Sequence, residues 1–170
     1  KGNGIGQERI DEKYEAVKKS GAIGLRANSA AIGYSAVAPG VFKDPDEWRL
    51  VADTLKKYGM RQYQIVHGKN ANITTENPPR SEAAINAYAA FWGNIAAEYE
   101  KRGYDVDYMI WNEYNHVPFN PDGGTVEDYI RLQEACYKAI KANDPDAFVW
   151  GMGGITVIAN YYDWMEEYLK

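Results

Sequence analysis

The sequence predicts an α/β fold of parallel strands joined by crossover helices, on three observations. Short apolar stretches begin near residues 22, 62, 107 and 147, at intervals of 40, 45 and 40 residues. The segments between them carry apolar residues at helical spacings of three and four. Intervals of this length exclude hairpins and leave room for a helix that returns the chain, so that each strand runs the same way as the last. A regular interval favours repeated βα units closing into a barrel over a sheet whose strand order reverses.

Each element has its own signals. Ile10, Tyr14 and Val17 mark one face of a first helix, which stops near Ser20 and Gly21. Residues 22–28 (AIGLRAN) read as a strand. Asp44, Pro45 and Glu47 form a helix start: a cap, a proline preset for the first turn, and the second half of a capping box. Trp48, Val51, Leu55 and Tyr58 then give one stripe, closed by Gly59. Residues 61–67 (RQYQIVH) form the next strand. Pro78, Pro79 and Ser81 open a third helix with the stripe Ile85, Tyr88, Trp92, Ile95 and Tyr99, ended by Gly103. Residues 107–113 (DYMIWNE) are a strand, and Thr125 with Asp128 caps a helix striped by Tyr129, Leu132, Cys136 and Ile140. Asp144 and Pro145 break that helix, residues 147–153 (AFVWGMG) form a strand, and residues 161–170 begin a last helix.

A (β/α)8 barrel takes roughly 250 residues. Four strands in 170 residues make about half of one. The chain begins inside one helix and finishes inside another, so the expectation is a barrel fragment whose partner is the remaining half. Unpaired strand edges would then make it self-associate.

Composition narrows the function. A net charge of −5 and the lack of any long Lys/Arg run argue against nucleic acid or an anionic membrane as partner. No stretch of 18 apolar residues is present, so no membrane span is expected. The single cysteine excludes an internal disulfide and a multi-cysteine metal site. No cofactor is implied. No signal peptide is visible at Lys1, and the compartment stays open, with an extracellular or periplasmic one favoured. Fourteen Tyr and five Trp suit either a packed core or a sugar-binding cleft, since rings stack on the CH faces of sugars.

The stretch most informative for chemistry is Trp111-Asn112-Glu113-Tyr114-Asn115. An apolar strand stops abruptly in Asn-Glu, and strand C-termini of a barrel open onto the face that carries chemistry. A carboxyl at the rim of an apolar barrel can hold a proton and hand it to a leaving oxygen. Asn112 offers both donor and acceptor to a sugar hydroxyl. A solvated Glu at a strand end is the plain alternative. Arg26, inside an apolar strand, is either a structural ion-pair member or a brace for the site. His67 and His116 follow strand ends on the same face and could contact sugar. Glu113 and His116 have E-x-x-H spacing, but too few further ligands accompany them for a metal site.

This motif resembles the W-N-E-P-N motif of clan A glycoside hydrolases, closest to family 39 and family 5 types. Gly21-Ala22-Ile23-Gly24-Leu25-Arg26 resembles the second barrel strand of that clan, and Ile140-Lys141-Ala142-Asn143-Asp144-Pro145-Asp146 the approach to the fifth. The resemblance covers nearly all of residues 1–170, from the first helix to the start of the fifth. It implies a retaining O-glycosidase acting on oligo- or polysaccharide, with Glu113 as acid/base and Asn112 binding the sugar 2-hydroxyl. Tyr114 stands where the motif has Pro. The clan's nucleophile is a Glu on the seventh strand, outside this alignment, and retaining hydrolysis needs two carboxyls about 5–5.5 Å apart. The chain alone is therefore expected to be inactive. A non-catalytic carbohydrate-binding barrel and an unrelated βα-repeat protein are the rival readings.

Overall fold

The computed structural model describes residues 7–27, 36–38, 41–42, 46–151 and 162–170. Helix α1 (Gln7–Lys19) leads through Gly21, whose φ of +88° suits a residue without Cβ, into β1 (Gly24–Ala27). Strands β2 (Ala36–Ala38) and β3 (Val41–Phe42) pair antiparallel in a small separate hairpin. Helix α2 (Asp46–Lys57) precedes β4 (Arg61–Val66). Helix α3 (Glu82–Lys101) and strand β5 (Val106–Ile110) follow. A 3-10 turn (Val117–Phe119) and α4 (Val126–Lys141) come next, then β6 (Val149–Trp150) and α5 (Tyr162–Tyr168).

The main sheet has the order β1-β4-β5-β6, and every pair in it is parallel. This is the predicted α/β architecture of successive βα units, matching part of a (β/α)8 barrel. Alternation along the strands sorts the side chains. Val66, Val106, Tyr108 and Ile110 join the core made with α3 and α4. That core takes the α3 stripe Ile85, Tyr88, Trp92, Ile95 and Tyr99 and the α4 stripe Tyr129, Leu132, Cys136 and Ile140, all as predicted. Two polar groups buried on this face have internal partners: the Gln62 amide donates to Tyr99 Oη at 3.1 Å, and Tyr129 Oη donates to the Ile110 carbonyl at 3.0 Å. On the other face, which a closed barrel turns inward, Tyr63 meets Trp150 edge-on with ring centroids 6.1 Å apart. Trp150 is thus half-buried and stacked on an exposed Phe148.

The helix starts follow the predicted chemistry. Thr125 and Asp128 form the reciprocal capping box of α4, and the Ser81 hydroxyl accepts from the Ala84 amide at the start of α3. Gly93 lets α3 approach α4 closely, since a Cβ there would sit 3.1 Å from the Ala139 carbonyl oxygen. Asp44, Pro45 and the side chain of Trp48 lie outside the described residues.

Two strand boundaries and one added element differ most from expectation. Strand β5 ends at Ile110 and not at Glu113, because Trp111 and Glu113 leave the extended region at φ +64° and +45°. Strand β6 spans Val149 and Trp150, while Ala147 precedes it as a buried residue whose amide donates to Asp144 Oδ1 at 3.0 Å; Met152 and Gly153 of the predicted strand lie outside the described residues. The β2/β3 hairpin is additional; its signal is Pro39-Gly40 between two apolar pieces, a turn dipeptide.

Candidate active site

Strand β5 delivers the motif. The ladder runs one bond past its end, with the Trp111 amide donating to the Val66 carbonyl at 2.9 Å. The backbone then turns left-handed at two non-glycine residues, Trp111 and Glu113. Each such conformation costs on the order of 1–2 kcal/mol, so surrounding contacts must enforce it. They are visible. The Trp111 ring is wholly buried, lies against Tyr88, Tyr114 and His67, and donates from Nε1 to the Phe119 carbonyl at 2.9 Å. Tyr114 is buried too, its ring 4.8 Å from that of Tyr129. Two large aromatics pulled inward, at positions three apart, force the residues between them outward. Asn112 and Glu113 are those residues. Tyr114 thus anchors the loop where the resembling motif carries Pro.

All five predicted site residues lie at or just beyond the C-terminal ends of parallel strands. Arg26 lies in β1, and its Nη2 donates to Asn112 Oδ1 at 2.5 Å across 86 positions of sequence. Arg26 is exposed, which corrects the buried arginine expected from its apolar strand: β1 is an outer strand of the sheet. His67 follows β4, with its ring 4.8 Å from Trp111 and 5.4 Å from Phe119. Burial, and then the nearby Arg26 charge, pull its pKa down to about 4, so it is neutral at pH 7. Glu113 is partly exposed, and its Oε2 lies 3.0 Å from His116 Nδ1. The turn between them is closed by the His116 amide, which donates to the Glu113 carbonyl at 2.8 Å.

The arrangement joins Arg26 to Asn112 and Glu113 to His116, with Trp111 and Phe119 beneath. Sequence reasoning does not single out Phe119. Its ring contacts both histidines and its carbonyl holds the Trp111 indole, yet no periodicity marks the segment Val117-Pro118-Phe119. Among the described residues, no group of three His, Cys, Asp or Glu could hold a metal ion. No described helix is long and apolar enough to cross a membrane.

No family model matches the sequence, and no curated protein matches it. Solved structures do resemble it. A family 39 glycoside hydrolase from the gut symbiont Bacteroides cellulosilyticus superposes at TM-score 0.68 with 19% identity, over 84% of this chain and 28% of its own. The exo-β-1,4-mannosidase Op5Man5 from Opitutaceae bacterium strain TAV5 gives 0.67 and 17%, over 87% of this chain and 28% of its own. GH5_18 from Streptomyces cattleya, in complex with GlcNAc, gives 0.66 and 14%, over 88% and 40%. The chain thus spans well under half the length of these proteins, and at such identities the likeness is one of fold. The fold is that of part of a (β/α)8 barrel, and its structural neighbours are family 39 and family 5 glycoside hydrolases of clan A.

Proposed function

We propose that this chain is the segment of a retaining O-glycoside hydrolase that carries the acid/base, Glu113, with oligo- or polysaccharide as substrate. The observation that carries the reading is the strained exit of β5, which turns Asn112 and Glu113 out from between two buried aromatics at the C-terminal rim. Strain of this kind persists where the surroundings over-determine it and is concentrated at functional sites. Glu113 protonates the leaving oxygen, then takes a proton from water once a glycosyl-enzyme has formed. Asn112, oriented by Arg26, binds the hydroxyl next to the scissile bond. His67 is neutral and contributes a hydrogen-bonding edge to the sugar. The nucleophilic carboxylate belongs to a strand in the other half of the barrel, which is the partner this segment needs.

The test is Glu113→Gln in a polypeptide carrying the remaining strands. Alkyl glycosides should lose about 10²–10⁴ in rate, since their leaving oxygen needs the proton. Activated aryl glycosides should still form the intermediate, which then accumulates. Azide needs no base and should rescue turnover as a glycosyl azide of retained configuration. Equal losses for both leaving groups, with no azide rescue, would replace this reading with a non-catalytic carbohydrate-binding barrel.

A further inference from the structure

We infer that His116 is a positioning residue for Glu113. Its Nδ1–H donates to Oε2 and leaves Oε1 as the oxygen that carries and delivers a proton. The consequence for catalysis rests on the acid/base reading above; the hydrogen bond itself does not.

Three observations support it. Nδ1 and Oε2 are 3.0 Å apart, within hydrogen-bond range. The backbone makes this contact local: Glu113 at φ +45° and the 2.8 Å bond from the His116 amide to the Glu113 carbonyl curl the chain so that the imidazole comes back onto the carboxyl. The ring also has a backing. Phe119 lies 6.0 Å from it at 52°, and Phe119 is itself tied to the buried Trp111 through the indole–carbonyl bond. The strained strand exit, the turn and the 3-10 turn therefore form one braced unit.

A braced donor matters because the last torsion of Glu is broad and roughly two-fold. An unheld carboxyl presents either oxygen. An N–H donated to Oε2 lowers the basicity of that oxygen, so protonation shifts to Oε1. A general acid works by directed transfer, and a misplaced reacting group costs up to about 10²-fold. The same tautomer leaves Nε2 without a proton when the ring is neutral. His116 would then accept a hydrogen bond from a sugar hydroxyl and not donate one, which narrows its predicted role in binding substrate.

The chain has two histidines, so ring-¹⁵N labelling with His67→Gln isolates the His116 signals. Long-range ¹H–¹⁵N correlation at a pH where the ring is neutral should show the Nδ1–H tautomer, which is the minority form of a free imidazole side chain. Finding Nε2–H overturns the proposal. Glu113→Gly suits the left-handed backbone and removes the carboxyl; the ring should then revert to Nε2–H. Persistence of Nδ1–H would also overturn it. In a catalytically competent polypeptide, His116→Phe should lower kcat on alkyl glycosides by about 10–10²-fold, more than it raises KM through the lost Nε2 acceptor. His116→Gln, which keeps a donor, should restore most of that loss. An unchanged kcat in His116→Phe refutes the positioning role, whereas failure of the acid/base reading appears separately in the azide experiment.

Discussion

The two ends of the sheet are built on different principles. At the N-terminal end, charge meets opposite charge. Arg61 donates from Nε to Asp105 at 2.9 Å and from Nη1 to Asp107 at 3.0 Å, and the other oxygen of Asp107 accepts the Phe148 amide at 2.9 Å. One cluster thereby clamps β4, β5 and the entry to β6 in register. At the C-terminal end, charges meet neutral or titratable partners: Arg26 a side-chain amide, Glu113 an imidazole. The backbone there is strained, whereas the turns that lead into β1 and β4 place glycine, Gly21 and Gly59, where φ is positive. On the proposed function, the difference separates holding from doing. In barrels of this type the N-terminal end serves stability and the C-terminal end serves chemistry.

The largest test of that contrast is Trp111→Ala. It removes the anchor that enforces the strained exit and should cost about 3–5 kcal/mol, read from urea unfolding. A cost below about 1 kcal/mol would mean that the strain is held elsewhere.

Acid should distinguish the two ends next. His67 has its pKa lowered to about 4, so the folded chain keeps it neutral while the unfolded chain protonates it below 6.5. The unfolded state then binds more protons, and stability falls as pH drops from about 6.5 to about 4, by about 2–3 kcal/mol in total. His67→Gln should flatten that window in an unfolding series against pH. Parallel curves for the two proteins would show that another group sets the acid limit.

At the N-terminal end, Asp107→Ala should cost about 2 kcal/mol, since hydrogen bonds to a charged group are worth about 1.5–3. It should leave the signals of His67 and His116 unchanged. Spectral changes at the histidines would show that the two ends are coupled through the sheet. The smallest effect is a pair at one site. Glu113→Gly and Glu113→Ala both remove the carboxyl, but only glycine relieves the φ of +45°, so it should be the more stable by about 1 kcal/mol. Equal stabilities would deny that the strain is a real cost.

Much of the fold is legible in the sequence because burial there is periodic. The stripes of α3 and α4 are buried at every predicted position, and the caps at Ser81 and Thr125 form the expected bonds. The rim is less legible, because there the chain follows tertiary contacts over local preference. Nothing around Trp111 announces a positive φ; it arises from indole contacts to Tyr88 and His67, which are remote in sequence. The link from Arg26 to Asn112 crosses two strands' worth of chain and needs the parallel sheet to exist first. The contact between Glu113 and His116 is the opposite case: the spacing of three is plain in the sequence, but its meaning depends on the turn that folds it.

Cys136 sits in the buried stripe of α4, and it is the one thiol in the chain. Burial pushes that thiol well above its ordinary range, so almost no thiolate exists at neutral pH. A sulfhydryl reagent can therefore reach it only when α4 lifts away from α3 and the sheet. The labelling rate becomes the intrinsic thiol rate multiplied by the fraction of molecules open at that instant. Reacted at leisure in native buffer, this side chain counts excursions of the helix layer, with no competing sulfur to blur the count.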